Sequence, residues 1–224
     1  MKKNLTITTV LFGNTVPRSW IPRFRGAVIN CLKQDNVMFH NHIGDGLRYS
    51  YPLVQYKVLD GRAAIIGIEQ GSAALQDYFS NYSSRVVLGG HPVDLFLDSV
   101  REETVEVAIV KEPVSYEMSG WIPLNEDNYK VYSAIESLVD KLSFLENILT
   151  GNILSFAKGV GLFFGDEVVC RISDMHRQHR LSYKGVGFIG LDISFKSNVM
   201  LPSGIGLGKG VSTGFGTIKS IERI

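Results

Sequence analysis

Gly204-Ile205-Gly206-Leu207-Gly208-Lys209-Gly210-Val211-Ser212-Thr213-Gly214-Phe215-Gly216 holds six glycines in thirteen residues, near the end of a 224-residue sequence. Glycine adopts backbone angles closed to other residues and lets a ligand or another segment come close. Successive N–H groups in such a loop bind phosphate oxygens, and Lys209 adds a point charge. A P-loop would need Gly-Lys followed at once by Ser or Thr and then a helix. Here Gly210 and Val211 follow Lys209. A dinucleotide fingerprint would sit just after the first strand. Position therefore argues against a nucleotide-binding enzyme. A tight packing loop against a helix remains the alternative to a phosphate-binding one.

Outward from this loop, the pattern is one of strands and helices in alternation. Leu5–Phe12 alternates as a strand. Ser19 is a candidate helix N-cap with Pro22 in the first turn, and Phe24, Ala27, Val28, Cys31 and Leu32 recur at helical spacing to about Lys33. Gln34–Ser50 reads as a loop. Tyr51–Leu59 and Arg62–Glu69 are strands about the Asp60-Gly61 hairpin signal. Ser72–Tyr82 is a second helix, and Arg85–Leu88 and Val93–Phe96 are short strands. The order β-α-β-β-α-β is that of a ferredoxin-like domain, placed at residues 1–98. In residues 99–224, Val105–Tyr116 is strand-like and Asn128–Phe156 carries one long helical pattern. Glu167–Ile172 and Gln178–Lys184 read as a hairpin, Gly187–Phe195 as a strand and Gly216–Ile221 as a last strand. The expected fold is α+β, two ferredoxin-like (RRM-like, βαββαβ) domains in tandem, the first carrying the histidine loop described below and the second the glycine-rich loop.

Net charge is +1, but unevenly spread. Residues 1–57 hold 8 Lys/Arg against 2 Asp/Glu, residues 58–165 hold 7 against 15, and residues 166–224 hold 8 against 5. Basic ends that fold together would make one face attractive to a polyanion; accidental solvation chemistry is the bland reading. No apolar run reaches the roughly 18 residues of a membrane span. The first residues alternate with Thr rather than forming a signal-peptide core, so a cytoplasmic protein is expected. Cys31 and Cys170 have no metal or redox spacing and are expected to be buried thiols.

A second constellation is Phe39-His40-Asn41-His42-Ile43-Gly44-Asp45-Gly46-Leu47-Arg48-Tyr49-Ser50-Tyr51, continuing through Pro52-Leu53-Val54-Gln55-Tyr56-Lys57. Two histidines titrating near neutral pH suit a general base and a general acid. RNA cleavage without metal needs both: a base for the 2′-OH and an acid for the 5′-oxygen. A cation then stabilises the phosphorane. Arg25, Arg48 and Lys57 are candidate cations, and Tyr49 or Tyr51 could bond the phosphate or supply a proton. Solvated loop histidines are the plainer reading. His-X-His also occurs in zinc sites, but no third ligand set is evident. In Met175-His176-Arg177-Gln178-His179-Arg180, Arg177 and Arg180 could grip phosphates or simply be solvated at a turn. Arg18, Arg23 and Arg25, flanking the first helix, carry the same ambiguity. Trp20 is expected in the core or an interface.

The glycine segment resembles the loop that closes RNA-binding proteins of the RAMP superfamily: alternating glycines, a basic residue, then Gly-aromatic-Gly. Gly204, Gly206, Gly208, Lys209, Gly210, Gly214, Phe215 and Gly216 match in order and position. The segment around His40 and His42 is similar to the catalytic region of type I-B CRISPR repeat endoribonucleases, where a histidine follows the first helix and a Tyr-Pro-Leu-Val-Gln-Tyr-Lys-like strand comes next. The resemblance is weakest across the acidic residues 99–165. It implies a metal-independent endoribonuclease, without cofactor, that cuts CRISPR repeat RNA (pre-crRNA) by 2′-OH attack, leaving a 2′,3′-cyclic phosphate. The catalytic candidates are His40, His42, Tyr49 and Tyr51, and the sequence does not choose between the histidines. The resemblance leaves room for a homodimer or a place in a CRISPR effector complex, and for no membrane role. The alternative is a non-catalytic RAMP subunit that binds guide RNA uncut.

Overall fold

The structure, a computed structural model, describes residues 2–31, 39, 51–79, 82, 84–183 and 185–221, and the backbone alone for 42–43 and 46–47. Two compact units emerge, one built around Asn4–Val105 and the other around Glu106–Val211 with Phe215 and the strand that follows it.

The N-terminal unit begins with strand β1 (Lys2–Thr15), whose Leu5, Ile7, Val10 and Phe12 are fully or almost fully buried. A 3-10 turn over Arg18–Trp20 leads into helix α1 (Ile21–Asn30). Pro22 sits in its first turn as expected, but Trp20, not Ser19, is the N-cap residue, and no side chain caps the helix. Ile21, Phe24, Ala27 and Val28 form its buried stripe. His42–Ile43 (β2) and Gly46–Leu47 (β3) pair as a short antiparallel ribbon. Strands β4 (Val54–Leu59) and β5 (Arg62–Ile68) pair antiparallel about Asp60-Gly61. Both turn residues have positive φ, 48° and 78°, as the two-residue hairpin turn demands. Helix α2 (Gln70–Phe79) follows. The small ribbon β6 (Arg85–Leu88) and β7 (His91–Asp94) stands apart from the main sheet.

The fourth strand of this unit is therefore not the expected Val93–Phe96. It is the start of β8 (Leu97–Trp121), which lies next to β1 in the order β4-β5-β1-β8; Thr8 Oγ1 donates to Glu102 there, 3.1 Å away. The hairpin β6–β7 is an insertion before it, turned by Gly89 and Gly90 at φ 62° and 89°. Residues 91–94 are mostly exposed, so they lacked the alternating burial that marks a sheet strand.

The C-terminal unit uses the rest of β8, then β9 (Cys170–Tyr183), β10 (Val186–Met200) and β11 (Thr217–Ser220). All pairings are antiparallel, β10 with β8 and β9, and β11 with β8. The expected single helix is two: α3 (Glu126–Ala134) and α4 (Leu138–Gly159). Ile135 is extended, and Ser137 starts α4 by accepting a bond from Asp140 N at 3.3 Å, a serine cap that a continuous pattern conceals. Leu145, Leu149, Ile153, Phe156 and Ala157 are its buried stripe, while Leu138 and Val139 stay exposed. The expected hairpin of 167–172 with 178–184 is one continuous strand, β9, whose partner is β10. Its string of exposed polar residues reads as a turn only because this edge strand is solvated. Each unit thus orders its strands as a ferredoxin-like sheet, the second as β11-β8-β10-β9.

No helix among the described residues is long and apolar enough to cross a membrane. Cys170 is buried as expected; Cys31 is only half-buried.

Candidate functional site

In the N-terminal unit, strand β4 buries Val54, Gln55, Tyr56 and Lys57 in succession, so both its faces are covered. Alternation puts Gln55 and Lys57 on one face and Tyr56 on the other. Gln55 Nε2 donates to the Tyr51 hydroxyl at 2.9 Å and to Pro52 O at 3.0 Å, which fixes Tyr51, itself buried. Lys57 is fully enclosed. Burial holds its ammonium well below the usual lysine range, and the charge of Arg18 lowers it further. A lysine so enclosed is no surface grip for phosphate.

On the opposite face, the Tyr56 ring meets Phe24 edge-on at 5.9 Å. Its hydroxyl is buried with no hydrogen-bond partner among the described residues. Burial pushes the phenol above its ordinary value, with Arg25 offsetting part of the effect and Tyr78 adding to it. Arg25 Nη2 donates to Phe39 O at 3.4 Å, so the first helix holds the start of the histidine segment. His40, Tyr49 and Arg48 lie outside the described residues, as does the side chain of His42. Trp20, expected in the core or an interface, is outside the core at 38% exposed, with the Arg23 guanidinium 5.5 Å above its ring. Tyr56 escaped the sequence reading because a tyrosine in an apolar strand looks like core; its orphaned hydroxyl is visible only in three dimensions.

In the C-terminal unit, the glycine-rich segment is laced to its neighbours. Gly204 N donates to Ile218 O, Ile218 N to Ile205 O and Leu207 N to Gly216 O, all within 3.0 Å, and Gly216 N donates to Gly120 O at 3.0 Å. Ile205, Leu207, Val211 and Phe215 are buried between these bonds. At Gly216, φ is +60° and a Cβ would overlap the Leu207 carbonyl oxygen, so only glycine fits. At Gly208, φ is +89° and a Cβ would stand 2.9 Å from Trp121 Nε1. Packing alone thus accounts for both positions. Lys209 is the exception within the loop: its Nζ lies 4.5 Å from the Phe188 ring centre. Phe188 leads to Tyr183 at 6.3 Å, and Tyr183 to Phe215 at 5.9 Å. This aromatic chain ties the loop to the β9–β10 hairpin.

Strand β9 carries the basic cluster, with His176, Arg177 and Arg180 exposed and His179 half-buried. His176 bonds Ser194 Oγ at 2.6 Å and Asp174 Oδ2 at 3.1 Å. Arg177 is exposed opposite Asp192. The Arg180 guanidinium lies across Gly187, where a Cβ would come within 3.0 Å of Nε. Arg180, His179, Phe188 and Lys209 line one groove of about 800 Å³ with the first turn of α3. No group of His, Cys, Asp and Glu among the described residues could hold a metal ion.

Two ferredoxin-like units in tandem, the second closed by a glycine-rich loop beside a basic edge strand, define the RAMP-type class to which the Cas6 proteins belong. The family model for the Cas6b N-terminal domain matches residues 3–106 and that for the Cas6b C-terminal domain matches residues 108–221. The chain belongs to the Cas6b family. An uncharacterized protein of Methanocaldococcus jannaschii is 33% identical over 118 residues, 52% of this chain and 79% of that protein. A crystal structure of Cas6b superposes with a TM-score of 0.90 at 24% identity, covering 98% of this chain and 100% of that one. A second, described as the CRISPR RNA processing endoribonuclease Cas6b, gives 0.76 at 22% identity over 98% and 100% of the two chains. A type IV Cas6 crRNA endonuclease gives 0.56 at 12% identity over 98% and 100%. These likenesses place the fold.

Proposed function

We propose that this protein is an endoribonuclease that cuts CRISPR repeat RNA without a metal ion. The observation that carries the proposal is membership of the Cas6b family across both units, together with the His-X-His segment that follows the first helix. One histidine of His40 and His42 takes the proton from the 2′-OH. The freed oxygen attacks the adjacent phosphorus, the bond to the 5′-oxygen breaks, and the other histidine or a tyrosine returns a proton to that oxygen. The products are a 2′,3′-cyclic phosphate and a 5′-hydroxyl. Arg25 and Arg48 are the cations available to the phosphorane; Lys57, read as a third from the sequence, is fully enclosed and presents no charge to the RNA. Tyr51, held by Gln55, is the one catalytic candidate whose position is fixed by a described bond; Tyr49 is the other tyrosine. Arg177, Arg180 and Lys209 would bear the RNA backbone.

Incubation of the protein with its host's repeat RNA in EDTA tests the reading. Cleavage is expected, with a product end resistant to a 3′ ligase until the cyclic phosphate is opened and the resulting phosphate is removed by a phosphatase. His40→Ala or His42→Ala should slow it roughly 10²- to 10⁴-fold. Binding without any cut would instead assign the chain to RAMP-type guide-binding subunits. An unchanged rate in both histidine variants would remove the site assignment.

A further inference from the structure

Resting on the RNA reading above, we infer that the groove between α3 and the β9–β10 hairpin is a pocket for one unpaired nucleotide of the RNA, and that it contributes to sequence recognition. The groove holds about 800 Å³, room for a base and its ribose rather than a duplex.

Its walls divide by chemistry. Phe188 and Tyr129 border it with aromatic surface, and Tyr129 is 49% exposed although it has no structural partner ring in the described core. An exposed tyrosine on a short helix and a second aromatic residue lining the same groove offer flat apolar faces on which bases stack. Arg180 and Lys209 supply positive charge at the same groove, and among the described residues neither is held in an ion pair with an acid. The one acid of the lining, Glu126, is matched by Lys130 at 3.2 Å. The groove therefore carries a net positive field, suited to a phosphate flanking the stacked base. Gln178 and Glu126 add an amide and a carboxylate at its rim. An amide and a carboxylate together suit a base edge that presents an amino group. Two details indicate that the cations are built in. Arg180 packs closely over Gly187, where a Cβ would stand 3.0 Å from its Nε, and Lys209 is held over Phe188.

The test is binding of the host's repeat RNA by anisotropy, using the intact repeat and a set with a single abasic nucleotide at each position in turn. For the wild type, one abasic position should weaken binding about tenfold, the loss of one stacked base. Tyr129→Ala and Phe188→Ala should weaken the intact repeat by a similar factor, and should then be indifferent to that same lesion. Tyr129→Phe should bind as the wild type does. The pocket is overturned if the wild type binds the intact repeat but no abasic position matters, or if the variant and lesion effects multiply at every position. Tight binding of a free nucleoside monophosphate by a wild type indifferent to every lesion also overturns it, pointing to a small-molecule site. The proposal about cleavage is untouched by those results. It fails separately if the wild type does not bind the repeat at all, which removes the pocket's ligand with it. Circular dichroism of each variant excludes misfolding, and Tyr129, half exposed on the surface, keeps the test available if Phe188→Ala proves unstable.

Discussion

After their third strands the two units part company. In the N-terminal unit β5 leads into helix α2; in the C-terminal unit β10 leads into the glycine-rich segment and no helix longer than the 3-10 turn Val211–Thr213. The helix satisfies its own backbone internally, so it needs only a close seat. Gly71 provides that seat: a Cβ there would overlap the Leu53 carbonyl oxygen. The buried Ser72 hydroxyl accepts from Thr8 N at 3.1 Å and lies 2.9 Å from Gly67 O, pinning the helix start to the sheet. The loop has no such internal ladder, so its N–H and C=O groups find partners one by one in β11 and β8. What the loop gains is reach: Lys209 projects onto Phe188, at the mouth of the groove. One topology, covered by a helix, makes a closed core; covered by a loop, it makes a core with an open chemical edge.

The difference can be broken by a methyl group. Gly216→Ala combines a left-handed residue, about 1–2 kcal/mol, with overlap on the Leu207 carbonyl oxygen, about 1–3 kcal/mol more. The expected loss is about 4 kcal/mol, concentrated in the C-terminal unit. Trp121 reports it, because its indole donates to Asn152 Oδ1 at 2.9 Å beside the loop. In a Trp20→Phe background, tryptophan emission should shift to the red at lower urea than in the parent. Gly71→Ala has no angular penalty and should cost about 2 kcal/mol, spread over the N-terminal unit and silent in Trp121 emission. Equal losses in both, or a Trp121 signal that follows Gly71→Ala, would mean that loop and helix cover their sheets in the same way.

Much of this was legible in the residues. The Asp60-Gly61 turn and the first helix's apolar stripe belong to local chemistry, and local chemistry reads from sequence. The glycine segment and the His-X-His segment carried the resemblance to the family. The misreadings share one cause. Ile135–Ser137 interrupts a helical period without Gly or Pro, and β9 carries so many exposed polar residues that its centre resembles a turn. Both depend on which side of the chain faces a partner, which no local pattern states. The same holds for the site. Arg180 and Lys209 stand out as charges, but that they converge on one groove with Phe188 and Tyr129, from four separate elements, is a fact of packing alone. Lys57 was legible as a cation, and its burial was not, because Val54–Lys57 alternates apolar and polar like a strand with one solvated face, whereas both its faces are covered.

That buried lysine sharpens the comparison with the smallest stability effect. Unfolded, Lys57 holds its proton up to its ordinary 10.5; folded, it releases the proton at lower pH. Between the folded value and 10.5 the unfolded chain binds the extra proton, so stability rises with pH there, by as much as about 1.4 kcal/mol per pH unit. Lys57→Met keeps the length and removes the titration. It should stabilise the N-terminal unit by about 1 kcal/mol near pH 8, with the advantage over the wild type shrinking as the pH is raised toward 10.5. Repeat cleavage should be little changed, because the enclosed amine has no exposed surface to offer the RNA. Urea melts from pH 7 to 10.5, paired with single-turnover cleavage, separate the outcomes. A more stable variant with unchanged cleavage would make Lys57 a strand residue that happens to be charged, and would leave the open edge of the C-terminal unit as the part of the fold shaped by its ligand.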